Sequence, residues 1–177
     1  MRCFIAINLP NEIKKEIWKI SKKIPEEGIK KVTEENLHIT LKFLGEVDNN
    51  QIEKIKYNLK EIKFNKFCVK LTGIGFFPNK NFIRVVWVSV GEGKEEIKKL
   101  QKMIDEKLLR LKFNKEKIFE PHLTIARIKF LKNKEFLKEL EKIKFNYTLE
   151  VESFELMHSI LQKKGPIYKK IESFDLI

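Results

Sequence analysis

Two short segments of the chain repeat one pattern of residues that could do chemistry, His-apolar-Thr-apolar. The pattern occurs as "HITL" from His38 and again as "HLTI" from His122. Chance is a poor explanation for two copies, because the 177 residues include only three histidines and five threonines. Side chains alternate along a strand, so each copy would place its imidazole and hydroxyl on one face and its apolar residues on the other.

Two imidazoles and two hydroxyls are suited to acid and base catalysis on a phosphodiester. The ordinary imidazole pKa, near 6.5, allows one histidine to be neutral and the other protonated at the same pH. The neutral one can take a proton from an attacking water, while the charged one gives a proton to the departing oxygen. Thr40 and Thr124 can donate hydrogen bonds to the non-bridging phosphate oxygens. The residues alone leave open which histidine has which role.

Other roles for the repeated motif are less well supported. A single copy would be read most simply as a structural histidine beside a β-favouring threonine, and the second copy is what favours catalysis. A zinc site needs a third or fourth ligand, and neither motif has another His, Cys or carboxylate at ligand spacing. We therefore expect no metal and no other cofactor. A serine nucleophile would lack its Gly-x-Ser-x-Gly turn, and His158, outside both motifs, is expected to be structural.

Arginine is rare in this chain, with four residues against 33 lysines. An arginine is therefore a candidate for the planar, two-pronged binding of a phosphate. Arg127 lies five residues after His122, so strict alternation would turn it to the face opposite the histidine. Phosphate binding by Arg127 requires strong twist or a β-bulge after Thr124. For Arg84 the choice between the site and a solvated strand position stays open.

Hydrophobic periodicity predicts the element order β-α-β-α-β-β followed by α-β-α-β-β. The predicted helices cover 13–23, 52–62, 95–111 and 136–143. The predicted strands cover 2–9, 37–44, 66–76, 82–90, a segment from 122, 147–158 and 167–176. Asp48, with Gln51 three residues later, is predicted to cap the second helix.

The element order and the sequence both indicate an internal duplication. Each His-apolar-Thr motif leads into an amphipathic helix, and each copy closes on the same tetrapeptide, Ile-Lys-Phe-Asn, at 62–65 and 143–146. We expect an α+β fold of two pseudo-symmetric lobes, each an antiparallel sheet with helices on the outside. The two histidines would then meet in a cleft between the lobes, and residues 1–177 would form a single domain.

The composition is that of a globular protein, with 42% hydrophobic and 35% charged residues and no low-complexity segment. The first residues lack the long apolar segment of a signal peptide or membrane span, so we expect a cytoplasmic protein that does not contact membranes. Cys3 and Cys68 lie in apolar runs and are expected to be buried thiols. The net charge of +12 favours a polyanionic partner, although Lys- and Glu-rich compositions also accompany AT-rich genomes and hot habitats.

Several segments along nearly the whole chain resemble one known group of enzymes. They are "RCFIAINLP", "NLHITLKFLGEV", "GIGFFPN" with "RVVWVSV", "FEPHLTIAR" and "SILQKKGPIYKKIESFDL". The chain resembles the 2H phosphoesterase superfamily, whose mark is a pair of His-x-Thr-x motifs in two pseudo-symmetric lobes. It is most similar to the branch named 2′-5′ RNA ligase or RNA 2′,3′-cyclic phosphodiesterase.

The resemblance implies hydrolysis of a terminal 2′,3′-cyclic phosphate on RNA to a 2′-phosphomonoester. It also implies that His38 is the proton donor to the departing 3′ oxygen and His122 the proton acceptor from water. Arg127 matches the phosphate-binding arginine of the family. Phe43, five residues after His38, and Tyr168 are expected to border the nucleotide pocket, against an equal case for core packing.

Three other functions stay open from the sequence. The first is the reverse reaction, the joining of tRNA halves through a 2′-5′ linkage, which would use the same residues. The second is a non-catalytic RNA or nucleotide binder that keeps the cleft as a recognition surface. The third is hydrolysis of a small cyclic nucleotide or an ADP-ribose cyclic phosphate. We expect RNA with a cyclic phosphate end as the partner, and a monomer.

Overall fold

Nine strands and four α-helices follow one another along the chain, and the computed structural model describes all of residues 1–177. The strands are β1 (Arg2–Asn8), β2 (Ile29–Lys31), β3 (His38–Glu46), β4 (Phe67–Pro78), β5 (Ile83–Val90), β6 (His122–Ile128), β7 (Lys144–Val151), β8 (Ser153–Ile160) and β9 (Ile167–Asp175). The helices are α1 (Asn11–Ser21), α2 (Asn49–Lys60), α3 (Lys94–Leu109) and α4 (Glu135–Glu141), with a short 3-10 helix at Glu34–Asn36. None of the helices has the length and apolarity needed to cross a membrane.

The strands form one antiparallel sheet in the order β7-β4-β5-β6-β3-β1-β8-β9, with β2 added beside β6. The first lobe is β3-β1-β8-β9 and the second lobe is β6-β5-β4-β7. They meet where β3 and β6 pair, with Ile39 as the partner of Leu123. Each lobe completes its sheet with strands from the other part of the sequence, so the two repeats are interlocked. The predicted α+β fold of two pseudo-symmetric lobes is confirmed.

The helices cover the face of the sheet that lies opposite the histidines. Ile39 and Leu123 are fully buried on that face and belong to one cluster of 39 buried apolar residues. The helix residues of this cluster include Ile52, Ile55 and Leu59 on α2 and Ile97, Leu100 and Ile104 on α3. Each such side chain contributes about 1.5–3 kcal/mol on burial, so the apolar members of the two motifs hold their strands in place.

The predicted cap of α2 is confirmed in atomic detail. The Gln51 backbone N–H donates to Asp48 Oδ1 at 2.7 Å, and the Asp48 backbone N–H donates to Gln51 Oε1 at 2.9 Å. Two of the unpaired donors at the helix start are thereby satisfied. Helix α2 thus begins at a definite point, directly after the strand that carries the first His/Thr motif.

Three details of the predicted structure are wrong. The single strand predicted over 147–158 is two strands separated by Glu152, because β7 pairs with β4 in the second lobe and β8 with β1 in the first. The apolar alternation shifts by one residue at this break, from Leu149 and Val151 to Phe154 and Leu156, a local sign that the prediction of one continuous strand overlooks. Strand β2 was not predicted, since three residues are too few to show a period. Cys68 is exposed, because the inward positions of β4 are Val69 and Leu71.

Candidate active site

Each motif histidine is held by the backbone carbonyl two residues before it. His38 Nδ1 lies 2.6 Å from the Asn36 oxygen, and His122 Nδ1 lies 2.7 Å from the Glu120 oxygen. A carbonyl can only accept, so Nδ1 carries the hydrogen and Nε2 is left for chemistry. His38 Nε2 lies 2.9 Å from Thr40 Oγ1. No sequence pattern predicted these two carbonyls, because the spacing shows which residues repeat but not where their backbones turn.

The pairing of the two central strands brings both motifs together. Because Ile39 is opposite Leu123 in an antiparallel pair, the register places His38 across from Thr124 and Thr40 across from His122, all on one face. The two histidines are then diagonal neighbours, a relation that separates side chains by about 7 Å. One phosphate group fits between two imidazoles at that separation.

A β-bulge follows each histidine at the same distance along its strand. In the first lobe Leu41 is the extra residue, and in the second lobe it is Ile125. The matching strand pairs are Asn8–His38, Ala6–Thr40 and Ile5–Lys42 in the first lobe, and Ser89–His122, Trp87–Thr124 and Val86–Ala126 in the second. The bulge shifts the alternation by one residue, so Phe43 and Arg127, five residues after the histidines, return to the histidine face. Phosphate binding by Arg127 requires a bulge after Thr124, and the structure contains one.

Electrostatics place Arg127 of β6 near the first histidine, on the other side of the pair β3 and β6. Its positive charge is among the causes that lower the pKa of His38, and it opposes the burial that raises the pKa of Tyr168. The guanidinium, carried by the second lobe, thus acts on groups of the first lobe, across the seam of the sheet. An anion in the cleft would find this charge beside both motifs.

Arg84 and His158 lie outside the site. The Arg84 guanidinium donates from Nη1 to the Lys129 carbonyl at 2.9 Å and lies 4.6 Å from the centre of the Phe82 ring. Alternation turns it away from the cleft, because its neighbour Val85 is the partner of Arg127. His158 on β8 lies between Cys3 and Lys169, one residue beyond the cleft-facing Met157 and on the other face.

The free protein holds His38 in its neutral form at pH 7. Burial lowers the pKa of His38 from 6.5 to about 4. The hydrogen bond to the Asn36 carbonyl raises the pKa in part, and the positive charges of Lys14, Arg127 and His122 lower it further. The ring is thus enclosed among cations, which is an environment prepared for an anion.

The aromatic residues expected beside the nucleotide, Tyr168 and Phe43, lie in the first lobe and both contact Phe4. The Tyr168 ring lies edge-on to His38, with centroids 5.3 Å apart, and 4.8 Å from the centroid of Phe4. Phe43 is 62% exposed, so it does not pack in the core, and its ring lies 6.3 Å from Phe4. Both residues are available at the cleft surface.

The two lobes differ in what fills the space beside the histidines. In the second lobe the Trp87 ring stacks on Phe77 at 4.6 Å, and both rings contact His122. Gly75 makes room for this, because a Cβ there would collide with the indole ring. The residue equivalent to Trp87 in the first lobe is Ala6. A cavity of about 200 Å³ lies there, lined by His38, Tyr168 and Ala6 among others.

A buried ion pair lies beneath the first bulge. Lys42 and Asp105 have side chains 2% and 4% exposed, and Lys42 Nζ lies 2.5 Å from Asp105 Oδ1. Lys42 Nζ also donates to the Asn114 carbonyl at 2.7 Å, and Asp105 Oδ2 accepts from Gln101 Nε2 and the Glu116 backbone N–H. The pair therefore joins β3 and α3 to the loop that leads into His122. Sequence reasoning missed it, since neither residue lies in a motif.

Comparison with known proteins agrees with the duplicated architecture. The LigT like Phosphoesterase family matches the chain twice, over residues 7–87 and 88–168. A Methanocaldococcus jannaschii protein named RNA 2′,3′-cyclic phosphodiesterase is 44% identical over 98% of this chain and 100% of its own. One of the same name from Archaeoglobus fulgidus is 39% identical over 99% and 100%. The chain belongs to the LigT-like phosphoesterase family.

Solved structures show the same fold over the whole chain. A Thermus thermophilus protein superposes with a TM-score of 0.86 at 29% identity, over 99% of this chain and 97% of its own. Escherichia coli LigT in complex with 3′-AMP superposes with a TM-score of 0.83 at 27% identity, over 99% and 97%.

The lowered pKa of His38 predicts a pH-dependent loss of stability. The unfolded chain takes up a proton near pH 6.5 and the folded chain only near pH 4, so the stabilisation from neutral His38 is complete above 6.5 and is lost as the pH falls toward 4. Between these values the free energy of unfolding should fall by up to about 3 kcal/mol more in the wild type than in His38→Gln. Urea unfolding at a series of pH values measures this, with His158→Gln as the control. Parallel curves for the wild type and His38→Gln would contradict the prediction.

The buried ion pair predicts a large effect of removing one partner. Lys42→Met leaves the Asp105 carboxylate buried without its cation and should cost about 3–5 kcal/mol of unfolding free energy. The double variant Lys42→Met/Asp105→Leu removes both charges and should recover most of that loss. Denaturant titration of the wild type and the two variants measures this. If the double variant were as unstable as the single one, the unpaired charge would not be the cause.

Proposed function

We propose that this chain hydrolyses the 2′,3′-cyclic phosphate at the end of an RNA to a 2′-phosphomonoester, by metal-independent acid and base catalysis with two histidines. The observation that carries the proposal is the pair of His/Thr motifs on one face of the sheet, with Arg127 returned to that face by a bulge. The full-length relatives named RNA 2′,3′-cyclic phosphodiesterase support the choice of substrate. A net charge of +12 favours a nucleic acid over a small nucleotide.

The cavity beside His38 supports a division of labour between the histidines. The nucleoside needs space, and Trp87 and Phe77 occupy the equivalent space beside His122. The departing 3′ oxygen belongs to that nucleoside, so it would lie next to His38. In an in-line displacement the attacking water lies on the opposite side of phosphorus, next to His122. His38 is then the proton donor and His122 the acceptor.

Each proton and bond in the proposed reaction has a definite partner. The free Nε2 of His122 takes a proton from water as its oxygen bonds to phosphorus. The bond from phosphorus to the 3′ oxygen breaks, and His38 Nε2 delivers a proton to that oxygen. Thr40, Thr124 and Arg127 stabilise the charge on the non-bridging oxygens.

The donor role requires that the substrate raises the pKa of His38. In the free protein His38 is neutral at pH 7, and a neutral Nδ1–H imidazole has no proton at Nε2 to give. A phosphate anion between the histidines adds a negative charge beside the surrounding cations. This charge favours the imidazolium form of His38. Binding and protonation of His38 are thus coupled.

The pKa of His38 should rise by two or more units when adenosine 2′-monophosphate, a product analogue, fills the cleft. NMR titration of the imidazole signals with and without the nucleotide measures the shift, and His38→Gln assigns the signals. A pKa that stays near 4 in the complex would give His38 the acceptor role and contradict the proposed division.

His38→Ala and His122→Ala should each lower kcat at least about 100-fold. The substrate is an RNA oligonucleotide with a 2′,3′-cyclic phosphate, and phosphorus NMR follows its conversion to the 2′-monophosphate. His158→Ala is the matched control and should retain full activity, and a chelator should leave the wild-type rate unchanged. A cyclic signal that persists with wild-type protein would favour a binding module, and activity in the double alanine variant would overturn the two-histidine mechanism.

We further propose that the protein acts in the cytoplasm as a monomer and that tRNA halves are among its substrates. A monomer suffices because one chain supplies both motifs and Arg127 to a single cleft. A 5′-hydroxyl in place of water would give a 2′-5′ linkage with the same residues. Cyclic-phosphate tRNA halves incubated with and without a 5′-hydroxyl partner would separate the two outcomes, and we expect the hydrolysed half to predominate.

A further inference from the structure

An acidic side chain with unused acceptor capacity lines the cavity beside His38. The Glu155 residue is only 8% exposed, and its carboxylate lies against the cavity together with Phe4 and Tyr168. Its neighbours Phe154 and Leu156 point into the core, so alternation along β8 directs Glu155 and Met157 toward the cavity.

The protein itself does not satisfy this carboxylate. Its one ion-pair contact is with Lys170 Nζ at 3.4 Å, and the Lys170 side chain is 55% exposed. Lys14, also in the cavity wall, donates to the Glu35 carbonyl at 3.2 Å; it lies beyond ion-pair distance of Glu155, whose charge nevertheless raises the pKa of Lys14 against the burial that lowers it. An ionised carboxylate can accept about four hydrogen bonds, and Glu155 accepts none from the chain. The carboxylate oxygens are open to the cavity, so donors of a bound ligand can reach them.

Resting on the proposed function, we infer that this cavity receives the terminal nucleobase and that Glu155 selects bases that carry an amino group, guanine above all. The volume of about 200 Å³ is sufficient for an aromatic ring, since a cavity of about 150 Å³ in another protein accepts benzene. Phe4 and Tyr168 supply aromatic contact surface, and the ribose would lie between this pocket and His38. Unstacked RNA bases are commonly bound in this way, between aromatic rings and a polar group that reads the base edge.

The four bases present different edges to a carboxylate. Guanine offers two adjacent donors, N1–H and the amino group, which match the two carboxylate oxygens. Adenine and cytosine offer an amino group beside a ring nitrogen that is itself an acceptor. Uracil offers one N–H flanked by two carbonyl oxygens, which the carboxylate repels. The order of preference should therefore be guanine first and uracil last.

The base preference can be measured with the four nucleoside 2′,3′-cyclic monophosphates as substrates. For the wild type we expect kcat/KM to be at least about tenfold higher with guanosine than with uridine, the size of one charge-assisted hydrogen bond. Glu155→Gln should lower kcat/KM for guanosine about tenfold, mainly through KM, and leave the uridine value within about twofold. The matched control is Glu150→Gln, on the exposed face of β7 in the second lobe, which should keep the wild-type order.

Two results would overturn the inference while the proposed function stands. One is equal kcat/KM for all four bases in the wild type, which needs no variant and does not depend on how Glu155→Gln folds. The other is an equal loss for all four bases in Glu155→Gln, which would indicate a general electrostatic role. If no cyclic nucleotide is hydrolysed, the proposed function fails instead. Calorimetric titration with guanosine and uridine 2′-monophosphates then tests the pocket, and equal affinities would overturn it.

Discussion

The site depends on one backbone irregularity, the extra residue that follows each motif threonine. A regular strand would turn the fifth residue after the histidine into the core, together with its charge. With Leu41 and Ile125 bulged, two successive residues in each strand face the core, and the next one returns to the cleft. The second bulge brings the Arg127 guanidinium to the histidine face, and the first brings the Phe43 ring to the corresponding place. Helix packing on the opposite face holds both bulges in register.

The duplication gives the two lobes the same backbone arrangement around the histidines, but the side chains at equivalent positions differ. The pairing register of the two lobes is the same residue for residue around the histidines. The shared backbone arrangement explains why both imidazoles bind a carbonyl through Nδ1 and present Nε2 to the same cleft. Ala6 in the first lobe corresponds to Trp87 in the second, and Phe43 corresponds to Arg127. These differences make the two sides of the cleft chemically distinct. A reaction with distinct entering and leaving groups needs two chemically distinct sides.

The charges around His38 favour the binding of an anion in the cleft. Burial and the charges of Lys14, Arg127 and His122 all disfavour a proton on His38. Placing these groups together is unfavourable for the free protein, and the core beneath the sheet offsets the cost. The buried pair of Lys42 and Asp105 joins the strand of one histidine to the loop before the other. A substrate anion would therefore meet groups that are already positioned.

The sequence by itself determined the types and order of most elements, the duplication, the cap at Asp48 and the common face of each His/Thr pair. These features repeat over short distances, so periodicity and spacing reveal them. The resemblance to known phosphoesterases came from the same motifs. Only the tertiary structure decided which strands pair on either side of Glu152, the bulge that turns Arg127, the carbonyls behind the histidines and the open side of the cleft at Ala6. Each of these depends on which strand lies alongside, and strand partners come from distant parts of the chain that no local pattern records.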